Sequence, residues 1–139
     1  MLRQLLWGGA ISVCNIAIHA LVMTLVIRAA QAMESRHFAW PSVRLPCVMI
    51  AVVSVFMAAH TSEVMIWALF YRLLDAAPAG ANVAYFAFVN YTTLGYGDVL
   101  PAADWQLLGP MTAMNGVLLF GWSTAVIFEI LRRTMAKQR

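Results

Sequence analysis

One short segment of this chain combines threonines, glycines and an acid in a spacing that can bind a dehydrated cation. The segment reads Thr-Thr-Leu-Gly-Tyr-Gly-Asp over residues 92–98. A cation gives up its water only where a ring of oxygens replaces that water, and inward-pointing backbone carbonyls can supply such a ring. Gly95 and Gly97 allow successive carbonyls to point the same way, because glycine reaches backbone angles that a Cβ atom forbids. The Thr93 hydroxyl adds one more oxygen at the inner end of the segment.

A second group of polar residues lies inside two long apolar runs of the sequence. We count depth at about 1.5 Å per residue from the outer ends of those runs, which places His19 roughly 21 Å and His60 roughly 20 Å deep. Asn15 and Glu63 both lie about 15 Å deep on the same scale. Asn15 and His19 share a helix face, as do His60 and Glu63. The pattern therefore predicts one buried polar contact among the four residues.

Ionisable groups at such depth are costly and point to function by default. Three uses of this polar cluster fit the sequence. It can be a hydrogen-bonded clasp between two helices, a pH-responsive site, or a metal site, since two histidines and one glutamate (His19, His60, Glu63) suit Zn²⁺. The sequence leaves these alternatives open.

The composition indicates a membrane protein. Of the 139 residues, 63% are hydrophobic and 11% are charged, and the mean hydropathy is +0.78. Soluble domains are about 45–50% apolar and about 25% charged. Three apolar runs reach the roughly 20 residues that a spanning helix needs; they are Leu5 to Ile27, Cys47 to Leu73, and Leu107 to Leu131. We therefore expect a single all-α membrane domain over residues 1–139 with three transmembrane helices.

A shorter apolar stretch, residues 82–92, leads directly into the cation-binding segment. It is too short to span a bilayer, so we expect a re-entrant helix, and Asn82 is a suitable N-cap for it. Pore helix and segment together occupy residues 82–98 in this interpretation. The partial negative charge at the C-terminal end of such a helix favours a cation nearby. One segment cannot enclose an ion, so a pore requires a cyclic assembly of several copies.

The Thr-Leu-Gly-Tyr-Gly-Asp motif resembles the selectivity filter of potassium channels, with Leu94 where valine is usual. The order of span, short helix, filter and span is similar to the pore unit of that family. One further helix precedes the unit, as in a group of small bacterial channels. The resemblance implies a homotetramer in the lipid bilayer that conducts K⁺ passively, is not an enzyme and needs no cofactor beyond the K⁺ in its filter. It implies K⁺-binding roles for Thr93, Leu94, Gly95, Tyr96 and Gly97.

The same resemblance suggests which residues support the filter. Tyr85 lies eight residues before Thr93, where related channels commonly place an aromatic residue that braces the filter aspartate. We therefore expect a hydrogen bond from Tyr85 to Asp98, with Thr92 as a further supporting residue. Trp105 follows the filter, and we expect it to anchor the chain at the outer membrane interface.

The third apolar run should supply the pore-lining helix. Its paired glycines, Gly116 and Gly121, resemble those of pore-lining helices, although packing of small residues between membrane helices explains them equally well. Helical spacing predicts a pore-lining or gating face formed by Gly116, Phe120, Thr124 and Phe128.

Basic residues are distributed unequally between the two sides of the predicted membrane. The loop after the first span and the C-terminal tail carry seven, namely Arg28, Arg36, Arg44, Arg132, Arg133, Lys137 and Arg139. The opposite side carries Arg3 and Arg72. The positive-inside rule therefore predicts a multi-pass protein of the plasma (inner) membrane, with the N-terminus outside and the C-terminus in the cytoplasm.

Two other functions fit the sequence besides a K⁺-selective channel. The first is a weakly selective cation channel with the same pore. The second is a membrane sensor or accessory protein that uses the cluster of His19, His60 and Glu63. No pattern of an enzyme or a nucleic-acid binder is present. Cys14 and Cys47 lie in or beside apolar runs, and we expect two small buried residues there rather than a disulfide.

Overall fold

Helices form almost the whole of the chain in the computed structural model, which describes residues 1–34 and 41–136. Helix α1 covers Leu2–Glu34, α2 covers Pro41–Leu73, α3 covers Val83–Tyr91 and α4 covers Leu108–Ala136. A short 3-10 helix, Ala103–Trp105, precedes α4. These two ranges contain no strand, and the expected all-α fold class is confirmed. Arg36, Lys137 and Arg139, which the sequence analysis counted as basic residues of one side, lie outside the described residues.

Three of the helices are long and apolar enough to cross a membrane. The candidate spans are Leu2–Ala32, Val43–Leu73 and Ala103–Ala136. The helices extend beyond the apolar runs of the sequence, because backbone hydrogen bonding continues through polar residues such as Arg28 and Gln31. Hydropathy thus locates the apolar middle of each helix and not its ends.

Helix α3 is short and begins where the sequence predicted. The Asn82 side-chain oxygen accepts a hydrogen bond from the Tyr85 backbone N–H at 3.1 Å, which confirms Asn82 as the N-cap. The helix has nine residues, so it cannot span a bilayer. Phe86 and Tyr91 are buried against the long helices, whereas Phe88 is exposed. α3 therefore lies against the bundle on one side only.

Two apolar cores hold the long helices together at different depths. The core nearer the filter combines residues of all four helices, among them Ile11, Val64, Trp67, Phe86, Tyr91 and Leu108. The other core joins α1, α2 and α4 through Met23, Val26, Val48, Val52, Phe56 and Ile130. The polar cluster lies between the two cores in sequence on both α1 and α2. Apolar packing on either side of the cluster thus fixes the helices that carry it.

Two expectations about single residues are wrong. Trp105 is buried in the apolar core nearer the filter rather than exposed at the membrane interface, and the Arg3 guanidinium lies 4.3 Å from the centre of its ring. The adjacent Gln4 side chain accepts a hydrogen bond from the Leu107 N–H at 2.8 Å. The N-terminal end of α1 is thus attached to the start of α4. Cys14 and Cys47 are free thiols and both are exposed, since neither lies on a helix face that packs against another helix.

Candidate functional site

The filter segment, residues 92–98, continues directly from the last turn of α3. The Thr92, Thr93 and Leu94 N–H groups donate to carbonyls of α3 at 2.9, 3.1 and 3.0 Å. All seven residues of the segment are exposed in the single chain. The helix therefore fixes the inner end of the segment, while the rest of its length is open to whatever lies beside the chain.

The backbone of the filter segment has an unusual repeating geometry. The angle φ is positive at Thr93 (58°), Gly95 (59°) and Gly97 (79°), which is every second residue. A left-handed conformation is strained for a β-branched residue such as threonine, and strain of this kind concentrates at functional sites. Alternation of left-handed residues with residues of ordinary φ permits successive carbonyls to face the same side. A carbonyl-lined ion path needs this geometry.

The outer end of the filter segment is attached to the start of α3. The Tyr85 hydroxyl donates a hydrogen bond to Asp98 Oδ2 at 2.7 Å, so the expected contact between these two residues is present. This hydrogen bond to a carboxylate raises the pKa of Tyr85 above its usual value. Thr92, the other expected supporting residue, donates from its hydroxyl to the Phe88 carbonyl at 2.7 Å. Both ends of the segment are therefore connected to the same short helix.

Helix α4 packs directly against the end of α3, one residue before the filter segment. A Cβ atom added to Gly116 would overlap the Tyr91 carbonyl oxygen, so only glycine permits this approach. The expectation that Gly116 lines a pore is corrected, because it is buried against α3. Gly121 has open space at its Cβ position. The two glycines that look alike in the sequence thus have different surroundings.

The other residues of the predicted pore-lining face differ in exposure. Thr124 and Phe128 are exposed on the chain, in keeping with a lining position. Phe120 is partly buried, and its ring centre lies 4.6 Å from that of His60 and 5.4 Å from that of Tyr91. One side of its ring therefore packs against buried polar residues, and the lining role expected for it stays a prediction.

Four side chains form a closed hydrogen-bonded ring between α1, α2 and α4, which we call the polar ring (His19, Glu63, His60 and Ser123). His19 Nδ1 lies 2.7 Å from Glu63 Oε1, and His60 Nδ1 lies 3.0 Å from Glu63 Oε2. Ser123 Oγ closes the ring at 3.0 Å from His60 Nε2 and 3.1 Å from His19 Nε2. Both nitrogens of each imidazole thus have a polar partner, and the ring is buried.

Helix α3 is joined to the polar ring by its last residue, Tyr91. The Tyr91 hydroxyl donates to Glu63 Oε2 at 2.5 Å and lies 3.1 Å from His60 Nδ1. Tyr91 immediately precedes the filter segment. Residues of all four helices therefore meet at the polar ring. The filter segment begins at Thr92, the residue that follows Tyr91.

A second set of amide contacts lies beside the ring. The Asn15 side-chain amide donates to the Glu63 backbone carbonyl at 3.3 Å and to Asn115 Oδ1 at 3.2 Å. The Trp67 indole N–H donates to the same Asn115 oxygen at 3.0 Å. The structure thus brings together all four residues of the predicted polar cluster, including Asn15.

Sequence reasoning missed the partners from α3 and α4. Ser123, Asn115 and Tyr91 are uncharged, so they carry no strong penalty in an apolar segment and give little signal by themselves. The depth count applied to the α4 run from Leu107 would have placed Ser123 roughly 24 Å deep, close to the two histidines. This count was the one available signal for Ser123.

The polar ring can be compared with a metal site. His19, His60 and Glu63 each offer a ligand atom, and these atoms lie within 4.8 Å of one another. Ligands on a tetrahedral Zn²⁺ with bonds of about 2.0–2.1 Å lie about 3.3 Å apart. The separations of 2.7 and 3.0 Å from the histidines to the carboxylate are hydrogen-bond distances instead. The arrangement is that of side chains held together by shared hydrogens.

Comparison with known proteins identifies a family for the chain. Residues 59–133 match the family model described as "Ion channel". The match contains α3, the filter segment, most of α4 and the half of α2 that carries His60 and Glu63, while α1 precedes it. No curated protein and no solved structure matches the chain. Since the family model covers more than half of the chain, this multi-pass membrane protein belongs to that ion channel family.

Proposed function

We propose that the protein is a potassium-selective channel formed by four copies of the chain. The observation that carries the proposal is the filter segment, in which left-handed residues alternate along a Thr-Leu-Gly-Tyr-Gly sequence in a chain of an ion channel family. Four such segments around an axis would place rings of carbonyls at Thr93, Leu94, Gly95 and Tyr96. Each ring replaces part of the water shell of K⁺.

The exposure of the filter segment supports an assembly of several copies. Leu94 is 52% exposed and Tyr96 is 68% exposed in the single chain. Large apolar side chains grouped at one surface mark an interaction site. Neighbouring copies would cover these side chains and at the same time supply the other carbonyls of each ring. A closed ring of identical subunits is the ordinary way to satisfy such a surface.

Charges near the filter support conduction of a cation inward or outward along its axis. The carboxylates of Asp75, Asp98 and Asp104 lie in the segments that flank α3 and the filter, and acidic groups at a pore mouth attract cations. The C-terminal end of α3 adds a partial negative charge below the filter. The unequal distribution of arginines further supports a filter mouth that faces outward and a cytoplasmic C-terminus in the plasma membrane.

Reversal potentials of the purified protein in planar bilayers test the proposal. With K⁺ on one side and Na⁺ on the other, a K⁺-selective pore gives a reversal potential near the K⁺ equilibrium value. A reversal potential near zero would identify a weakly selective cation channel instead, and absence of current would contradict the proposal. Native mass spectrometry of the same sample measures the number of copies, with four expected.

A further inference from the structure

The polar ring requires one more hydrogen than its side chains carry in their ordinary states. Five contacts each need a hydrogen of their own: two between the histidines and Glu63, two between the histidines and Ser123, and one from Tyr91 to Glu63. A sixth contact, 3.1 Å from His60 Nδ1 to the Tyr91 hydroxyl oxygen, shares the hydrogen that His60 Nδ1 donates to Glu63. An ionised Glu63 offers none, and each neutral histidine, the serine and the tyrosine offers one. Four hydrogens cannot serve five contacts, so one contact would bring two lone pairs together.

One added proton satisfies every contact. If it resides on His19, that imidazolium donates to Glu63 and to Ser123, and Ser123 donates to His60 Nε2. His60 Nδ1 and the Tyr91 hydroxyl then donate to Glu63. If the proton resides on Glu63 instead, the carboxyl donates to His19 Nδ1 and the remaining hydrogens keep their sites. Both arrangements contain the same number of hydrogens.

The charge of the buried group leads to the same proton number. His19 and Glu63 are 0% exposed and His60 is 9% exposed. An unpaired charge in an apolar interior is costly, whereas a neutral hydrogen-bonded set is not. One added proton makes the net charge of the ring zero. No other proton number gives both a complete set of contacts and a neutral ring.

We propose that the polar ring is a binding site for a single proton and that its occupancy controls the filter. The ring members come from α1, α2 and α4, and Tyr91 of α3 contributes the fifth contact. The titratable groups that face the ring are His19 from α1, His60 and Glu63 from α2, and Tyr91 from α3. Among the described residues, α4 contributes Ser123, Phe120 and Trp122, none of which titrates.

Occupancy reaches the filter through Tyr91. Loss of the proton leaves a net negative ring with one contact lacking its hydrogen, so the side chains must separate. A second proton leaves a net positive ring in which two donors face each other. In both cases the contact of the Tyr91 hydroxyl changes, and Tyr91 is fixed between Gly116 and the filter segment. Conduction should therefore be greatest when the ring holds one proton and decline in acid and in alkali.

Glu63→Gln is the informative variant, because its amide can replace the added proton. The amide nitrogen donates permanently to His19 Nδ1, and the amide oxygen accepts from His60 and Tyr91. All five contacts then have hydrogens, the ring is neutral, and no proton remains to be released in alkali. Glu129→Gln is the matched control, since Glu129 accepts hydrogen bonds from Arg132 and Arg133 away from the ring.

Potassium flux into proteoliposomes, measured over about pH 5 to 10 and normalised to each variant's own maximum, tests the control of the filter; this part rests on the proposed function. We expect a bell-shaped profile for the unmodified protein and for Glu129→Gln, because the occupied fraction falls about tenfold per pH unit beyond its midpoint. Glu63→Gln should lose the alkaline decline. Retention of that decline in Glu63→Gln, or its absence in the unmodified protein, would overturn the proposed control.

Nuclear magnetic resonance tests the proton site itself, whether or not the protein conducts. In protein labelled at histidine nitrogens and glutamate carboxyl carbons, the signals of His19, His60 and Glu63 should change together, with one shared midpoint, when the ring loses its proton. Separate midpoints, or no change up to about pH 10, would overturn the single-proton site. Zn²⁺ is added in a parallel sample, and stoichiometric shifts reversed by a chelator would identify a metal site instead.

Discussion

The filter segment and the polar ring are neighbours in the chain, since Tyr91 belongs to one network and Thr92 begins the other, yet they are built in opposite ways. The filter segment is exposed over its whole length in the single chain, and its chemistry is that of backbone groups. The polar ring is buried and consists of side chains that one chain completes by itself. The comparison shows that one short helix connects an exposed backbone segment on one side with a buried network of side chains on the other.

The largest effect is expected from a substitution that changes the filter segment alone. Gly95 has a positive φ of 59°, and an alanine in this left-handed conformation costs roughly 1–2 kcal/mol per copy. Gly95→Ala should abolish the preference for K⁺ over Na⁺ in reversal-potential measurements. Gly9→Ala is the control, because Gly9 lies in α1 with open space at its Cβ position. An unchanged K⁺ preference in Gly95→Ala would refute the assignment of the filter.

The next largest effect is expected from a substitution that removes one member of the polar ring and leaves the filter segment unchanged. His60→Leu deprives Glu63 and Ser123 of a partner, and a buried polar group that loses its hydrogen-bond partner costs about 1–3 kcal/mol, more where that group is charged. The thermal stability of the detergent-solubilised protein should fall by a corresponding amount. The double variant His60→Leu with Glu63→Leu removes both side chains of this contact but also leaves His19 and Tyr91 without the carboxylate, so its loss should be smaller than the sum of the two single losses. Strictly additive losses would mean that the two side chains do not interact.

A third substitution changes the contact between α4 and the end of α3, where the polar ring and the filter segment meet. Gly116→Ala places a methyl group against the Tyr91 carbonyl, so α4 must move away from the end of α3. Overpacking of this kind costs about 1–3 kcal/mol, and both thermal stability and conduction should decline. Gly121→Ala, five residues further along the same helix, has open space and should leave stability nearly unchanged. Equal effects of the two substitutions would argue against a close contact between α3 and α4.

The smallest expected effect concerns the outer end of the filter. Tyr85→Phe removes the hydrogen bond to Asp98, so currents should decay faster during prolonged opening while the preference for K⁺ is retained. The pKa of Tyr85 is raised by this bond, so its contribution is complete below the usual tyrosine pKa and is lost as pH rises through the raised value. The currents of the unmodified protein should therefore decay faster as the pH rises into the alkaline range. The decay rate of Tyr85→Phe should not change with pH, and current traces measure both.

The sequence predicted the backbone geometry of the filter segment more completely than the membership of the polar ring, for a physical reason. Filter chemistry depends on backbone angles over consecutive residues, so a local motif with Gly95 and Gly97 suffices to indicate it. Ring chemistry depends on residues from four helices, and the sequence indicated only the ionisable members, His19, His60 and Glu63. Ser123 and Tyr91 have uncharged side chains that many apolar segments contain, so only the packed helices show that they complete the ring.

The sequence also did not predict which faces of the helices are buried and which are exposed. Gly116 and Gly121 have the same residue type on the same helix, but only Gly116 meets the end of α3. Trp105 is of a residue type that is common at membrane interfaces. In the structure it contacts Arg3, about a hundred residues earlier in the chain. Contacts between elements that are distant in sequence decided these positions, and helical periodicity contains no information about them.

The distribution of the ring members along the chain has a consequence for biosynthesis. His19, His60 and Glu63 leave the ribosome before Ser123 and Asn115, and the histidines and the carboxylate can neutralise one another once α1 and α2 are inserted. The remaining partners arrive with the last helix. A chain truncated before α4 would expose polar imidazole and amide groups to lipid.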